Sequence, residues 1–433
     1  EDFVYSWQRI AEPKTASEYA YLVSEANVLN ADEVIAGTKP VEELGVKADG
    51  NKVIFTLSAP APQFMSLLSF SNFAPQSKAF VEKVGDEYGT ASDKQIYSGP
   101  FTVEDWNGTS GSFKLVKNEN YWDAKNVKLE TVNFETVKKP DTAVQMYKQG
   151  ELDFATISDT PAIYNANKKN EDVVPVKEAT TAYIVYNQTG SVPALTNTKI
   201  RQALNLATNR EGVVEAAVNT GSVAATGFAP SGLASLTDGT DLAEFVAPGY
   251  KYDEAEAAKL FKEGLEEAGV SEVTLTVTAD ADRPAAKAAV DYLKETWEKA
   301  LPGLKIEEKF VTFKQRLEDT KNQNFEVALV LWGGDYPEGS TFYGLMASDS
   351  AYNYGKFSSK EYDAAYTKAL TEDALDVDAA AADYKEAEKI LFENAFYNPL
   401  YFRSQAGLQN PSVKGLVRNS TGLQEDFTYA YKE

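Results

Sequence analysis

The sequence predicts an α/β protein built from two or three lobes. Three observations carry that prediction. Between Val273 and Trp332 strand-like and helix-like signals alternate, which is the pattern of parallel βαβ units. At 433 residues the chain is too long for one ordinary hydrophobic core. With 43% hydrophobic and 12% aromatic residues it has enough apolar material to fill more than one.

From the start, Phe3, Trp7 and Ile10 form an i, i+4, i+7 stripe, so the chain opens on a helix. No signal precedes that helix, and we expect the natural protein to begin well upstream. Val53, Phe55 and Leu57 alternate as a strand, closed by Pro60 and Pro62. Phe113–Val116, Val132–Glu135 and Tyr183–Tyr186 read as further short strands, with a helix near Thr142–Gln149. Ile200, Ala203, Leu204 and Ala207 mark one face of a helix. Asp253 and Glu256 make a D-x-x-E start for another, which Gly269 can end. Val273, Leu275 and Val277 alternate as a strand, and a helix follows through Tyr292, Leu293 and Trp297. Leu304–Val311 is the next strand, and Thr312 with Gln315 opens the next helix. Phe325–Trp332 is almost wholly apolar, as in a strand buried on both faces. Ligands of such sheets sit beyond the carboxyl ends of the strands, which directs attention to Gly333–Phe342. Ala374–Ala387 reads as a good helix former.

Composition removes many functions. Lys plus Arg is 42 and Asp plus Glu is 65, a net charge of −23. Such a surface repels phosphate backbones and anionic headgroups, so neither nucleic acid nor a membrane surface is an expected partner. Without Cys or His there is no disulfide framework, no thiolate metal site, no Ser–His–Asp triad and no HExxH helix. No apolar run reaches the roughly 20 residues that span a bilayer, and no signal peptide or lipidation motif is present. Asp280 and Asp282 do not open a calcium loop, because Ala285 and Asp291 stand where Gly and Glu are required. Neither a Walker A motif nor G-x-G-x-x-G occurs. No metal or cofactor is expected.

The loop after the last strand holds the candidate site. Asp335 and Glu338 could be a glycosidase carboxylate pair, but acids three apart are commonplace on the loops of so acidic a chain. Asp335 alone could hold a ligand ammonium group in a closed cleft, or it could be an ordinary loop acid. Trp332 is equally readable as core or as a pocket wall. Tyr183, Tyr186, Phe313, Tyr336 and Tyr343 stay open in the same way, among 24 Tyr and 22 Phe.

Eight segments carry a family likeness in chain order: Asp2–Tyr21, Gly37–Phe64, Ser98–Trp106, Lys117–Phe134, Tyr147–Ala155, Thr198–Arg210, Tyr252–Gly269 and Phe325–Phe342. Together they resemble the bacterial oligopeptide-binding proteins, the family 5 or cluster C extracellular solute-binding proteins of ABC peptide importers. The resemblance implies a periplasmic-binding-protein-like, two-lobed (type II) fold with an extra domain in the first lobe and its N-terminal part missing here. It places the extra domain at 1–95, the first lobe at 96–197, the second at 198–402 with a ligand loop at 331–343, and a return to the first lobe at 403–433. It implies hinge closure on an extended peptide, with crossovers near 190–200 and 400–405, and delivery to a membrane permease. A monomeric, non-enzymatic receptor is expected. It would be extracellular and anchored as a lipoprotein in its full-length form, or periplasmic in a Gram-negative cell.

The likeness also assigns roles. In Trp332-Gly-Gly-Asp335-Tyr336 the family's aspartate, which holds the peptide α-ammonium, falls on Asp335, and its pocket tryptophan on Trp332. The backbone of Leu331 and Gly333 would pair with the ligand, with Tyr336 beside them. Phe313 stands where the family has a tryptophan. The basic positions that receive a ligand carboxylate fall on Thr320, Lys321 and Leu329, of which only Lys321 is charged. Sugar-binding relatives, a peptide-pheromone sensor and, more remotely, a glycoside hydrolase are the alternative functions.

Overall fold

The structure is a computed structural model that describes residues 1–158, 161–218 and 220–433. Contacts divide the chain into two units, Glu1–Phe154 with Gln409–Glu433, and Ala155–Leu408.

In the first unit, helix α1 (Asp2–Ala11) buries Trp7 and Ile10 but leaves Phe3 half exposed at 51%. Trp7 stacks on Phe73 at 3.8 Å and meets Phe55 edge-on at 5.0 Å. Only two residues of the predicted stripe therefore reach the core. A hairpin joins β1 (Val46–Asp49) to β2 (Lys52–Phe55). A three-stranded antiparallel sheet orders β3 (Phe101–Glu104), β4 (Ser112–Lys117) and β5 (Thr131–Glu135). Its cross-strand pair Phe113–Phe134 stacks at 4.7 Å, the kind of contact that fixes strand register.

The second unit is organised by one sheet. Its strands are β6 (Phe154–Thr156), β7 (Val173–Tyr186), β8 (Val223–Ala224), β9 (Val273–Asp280), β10 (Leu304–Val311), β11 (Val327–Gly333) and β12 (Tyr397–Gln409). Their order is β10-β9-β11-β7-β12-β6, with β8 on β12. The expected parallel units are present, since β9 pairs in parallel with both β10 and β11. The sheet as a whole is mixed, however, because β7 runs antiparallel to β11 and to β12. The Tyr183–Tyr186 signal belongs to the last residues of a 14-residue strand.

The helix starts predicted at Asp253 and Thr312 and the stop at Gly269 are realised. Helix α2 (Thr198–Leu206) is capped by Asn197, whose side chain accepts the Ile200 N–H at 3.2 Å. Asp253 caps α3 (Glu254–Ala268) by accepting the Glu256 N–H at 3.0 Å, and Gly269 ends it with φ of 70°. Helix α4 (Pro284–Ala300) joins β9 to β10, and Thr312 caps α5 (Phe313–Lys321), which leads to β11. Helix α6 (Val377–Asn394) follows later.

Side-chain alternation gives the sheet two cores. Leu275, Val277, Ile306, Val327 and Leu329 pack with α2, α3 and α4 residues such as Leu204, Phe261 and Trp297. Tyr183, Val185, Ala328 and Val330 pack instead with Phe228, Phe342, Tyr343 and Tyr384. Strand β11 is thus covered on both faces, as its apolar run predicted. Among the described residues no helix is long and apolar enough to cross a membrane.

Candidate functional site

The site grows from the end of β11. Gly334 N–H donates to Ala179 O at 2.8 Å and Asn187 N–H to Glu326 O at 2.9 Å, and the register between them is unbroken. In an antiparallel ladder residues alternate between bonding the partner and pointing away. Ala328, Val330 and Trp332 therefore turn their backbone groups toward β7, while Leu329, Leu331 and Gly333 turn theirs to the opposite edge. On that edge β9 pairs with β11 only at Val327 and Ala328. Beyond Ala328 the two strands part, and no further strand pairs with this edge among the described residues. Leu331 and Trp332 are half-buried and Gly333 is exposed.

The loop that follows is held firmly. Trp332 Nε1 donates to the Thr341 carbonyl at 2.9 Å, and the Asp335 N–H donates to Thr341 Oγ1 at 3.0 Å. One buried threonine thus clasps both ends of the W-x-x-D segment. Trp332 also meets Tyr352 edge-on at 5.1 Å. Glu338 turns back into the loop, accepting the Ser340 N–H at 2.7 Å and the Tyr384 hydroxyl at 2.6 Å. Tyr384 leaves no room for a side chain at position 339, where a Cβ would lie 2.6 Å from its ring, so glycine there allows the approach. Tyr336 points inward, 1% exposed, with its hydroxyl 2.9 Å from Ser340 Oγ. Below the loop, Tyr343 donates to the fully buried Glu388 at 3.1 Å.

Leu331, Trp332, Gly333, Asp335 and Tyr336 are thus gathered at one strand end, with the half-buried Asp335 just past it. Phe313 and Lys321 occupy the first and last positions of α5. They lie about 12 Å apart along the helix axis at ~1.5 Å per residue. Phe313 is 42% exposed and lies against the guanidinium groups of Arg283 and Arg316, at 5.8 and 5.1 Å. Lys321 is exposed. Thr320 and Leu329 are both fully buried; Thr320 donates to the Arg316 carbonyl at 2.9 Å, and Leu329 lies in the core. Sequence reasoning missed Thr341, Tyr352 and Glu388. Nothing local marks them, because their partners come from folding the loop back on itself or from other elements. Among the described residues no group of three or more acids is placed to hold a metal ion.

Residues 1–354 match the family described as bacterial extracellular solute-binding proteins, family 5 Middle. The chain belongs to this family. Over its full length it is 43% identical to a dipeptide-binding protein of Lactococcus lactis subsp. cremoris, covering 80% of that relative. It is 30% identical to the periplasmic oligopeptide-binding protein OppA of Salmonella typhimurium, over 96% of this chain and 75% of the relative. Among solved structures, Listeria monocytogenes OppA bound to peptide superposes with a TM-score of 0.86 at 33% identity, over all of this chain and 83% of that one. The substrate-binding domain of an oligopeptide ABC transporter from Bacillus anthracis gives 0.87 at 33%, with the same coverage. The fold is the periplasmic-binding-protein-like α/β one that the resemblance implied, and family 5 members are solute-binding proteins.

Proposed function

We propose that this family 5 protein is a peptide receptor of an ABC importer, binding a short extended peptide whose α-ammonium group sits at Asp335. The observation that carries the reading is the strand edge of Leu331 and Gly333, whose backbone groups face away from β7 and which ends beside a carboxylate. An extended peptide can add to such an edge by backbone hydrogen bonds alone, which gives affinity with little demand on side chains. The carboxylate then fixes which end of the peptide lies where. The relatives named as dipeptide-binding and oligopeptide-binding proteins support the ligand class. In this reading Trp332 and Tyr352 wall a side-chain site, while Phe313 and Lys321 contribute further along.

The protein carries no catalysis, works as a monomer, and delivers its ligand to a membrane permease from the extracellular side, held there by a lipid anchor on the full-length chain. The lobe division 1–95, 96–197, 198–402 and 403–433 is part of the same proposal. Mass spectrometry of small molecules released on denaturing the purified protein tests the ligand class. A mixture of short peptides is the expected result. A single oligosaccharide would replace the peptide reading with a sugar-binding one.

A further inference from the structure

Strand β10 ends the sheet of the second unit, paired with β9 on one side and, among the described residues, with no strand on the other. An unpaired edge of eight residues is a template for another extended chain. Two bonds show which backbone groups line it. The Val273 N–H donates to Gly303 O at 2.8 Å, and the Ala281 N–H donates to Val311 O at 2.7 Å. The odd-numbered residues from 303 to 311 therefore turn their backbone groups to β9. Leu304, Ile306, Glu308 and Phe310 turn theirs outward.

The middle of that edge is already occupied. Glu298 Oε1 accepts the Ile306 N–H at 2.7 Å, and Lys294 Nζ donates to the Ile306 carbonyl at 2.7 Å. Both side chains come from α4, one turn apart on the same face, and both are half-buried. The carboxylate stands in for a strand's carbonyl and the ammonium for its N–H. Together they supply what one residue of a neighbouring strand would supply. Toward the start of β10, the Leu304 N–H is taken by Leu301 O at 3.0 Å. Hydrogen bonds to charged groups are the stronger kind, so an incoming strand must displace two of them before it gains its own.

The residues of β10 show what that strand would be. Antiparallel pairing of two copies centred on Ile306 sets this residue opposite itself. The pair would then exchange the two backbone bonds that Glu298 and Lys294 now hold. In that register the exposed Lys305 faces the exposed Glu307 of the other copy, twice by symmetry. Centring on Glu307 would set Lys305 against Lys309 and Glu307 against itself, and centring on Glu308 would oppose two Glu308 carboxylates. Charge complementarity selects the pairing about Ile306.

We propose that Lys294 and Glu298 close the β10 edge against a second copy of this chain and so keep the protein monomeric. Without them the two β10 strands join about Ile306 into one continuous sheet. The guard acts whatever the ligand.

The test replaces both guards, Lys294→Met with Glu298→Met, which keeps side-chain length and helix propensity and leaves the net charge unchanged. Sedimentation velocity of the full chain, from about 1 to 200 μM, should show the wild type monomeric throughout and the double variant half dimeric at about 20 μM or below. Adding Glu307→Lys sets like charges opposite each other and should return the double variant to monomer. Adding Lys305→Glu as well should restore the dimer. A double variant as monomeric as the wild type, or a wild type that already dimerises, would overturn the guard. Dimers indifferent to the charge of residue 307 would overturn the β10 pairing. Where the double variant does not fold, Glu298→Met alone carries the test by hydrogen exchange. Its Ile306 amide should exchange about tenfold faster than in the wild type, while the Lys305 and Glu307 amides, turned to β9, keep their rates. An unchanged Ile306 rate would overturn the guard.

Discussion

Glu388 offers the sharpest test of the energetics of the second unit. It sits on α6 with no exposed surface, and all three of its hydrogen bonds come from neutral donors. The Phe228 N–H and the Tyr343 hydroxyl reach Oε2 at 3.1 Å each, and the Tyr397 hydroxyl reaches Oε1 at 2.6 Å. Burial outweighs these bonds and pushes the carboxyl up from 4.5 to about 7. The Tyr250 and Tyr362 hydroxyls also lie in its field and, like Tyr343 and Tyr397, are held well above their usual 10. They stay neutral throughout the range in question. Arg210 stacks over the Tyr250 ring at 4.4 Å and is bonded to Pro399 O and Asn398.

The folded carboxyl holds its proton more tightly than the unfolded one, so its contribution is complete below pH 4.5 and is lost as pH rises through about 7. The shift is 7 − 4.5 = 2.5, which at ~1.36 kcal/mol per unit is about 3 kcal/mol. Glu388→Gln removes the titration and keeps the shape. The amide oxygen can take the Phe228 and Tyr343 donors, and the amide nitrogen can donate to Tyr397 in reverse. Urea unfolding of both proteins at intervals between pH 4.5 and 8.5 cancels every other titrating group. The variant should gain about 3 kcal/mol relative to the wild type across that range, most of it between pH 4.5 and 7. A pH-independent difference, or one that falls with pH, would refute a desolvated Glu388.

Two further perturbations address the loop. Asp335→Asn keeps the shape and removes the charge, and should weaken free peptides by about a hundredfold or more, the cost of leaving a buried ammonium unpaired. N-acetylation should cost the wild type as much and the variant little, which a calorimetric cycle of two proteins and two peptides reads directly. Thr341→Val deletes the acceptor of the Asp335 N–H but leaves the carbonyl that holds Trp332. Affinity should fall about tenfold with a narrower preference for free over acetylated peptides, as expected for one buried donor left unmet. Thr341→Ser should restore both, whereas a purely structural role would lower the melting temperature and leave the preference unchanged.

What could be read from the sequence was what neighbouring residues decide among themselves. The caps at Asp253 and Thr312, the stop at Gly269 and the buried run of β11 are local, and all are realised. The W-x-x-D segment was equally visible, because strand, loop and carboxylate are contiguous. Residues whose environment is supplied from a distance were not visible. Glu388 occurs in an alanine-rich helix, where a glutamate ordinarily faces water, and its donors lie 160, 45 and 9 residues away. Strand β7 was seen only at its end, because its earlier part carries Glu178, Thr180 and Thr181. Thr181 is nevertheless fully buried, its hydroxyl donating to Phe228 O at 2.8 Å.

The same distinction decides the site. Which face of β11 a side chain takes follows from alternation, but which edge a backbone group takes depends on register with β7, set by partners some 150 residues away such as Gly334 with Ala179 and Asn187 with Glu326. A slip of one residue would turn Trp332 to the open edge and Leu331 and Gly333 into the ladder. It would also move those backbone groups out of step with Asp335. The edge proposed to face the ligand is therefore a property of two strands together, and in that proposal Asp335 can be effective only because the pairing of β7 holds the neighbouring backbone groups in the matching phase.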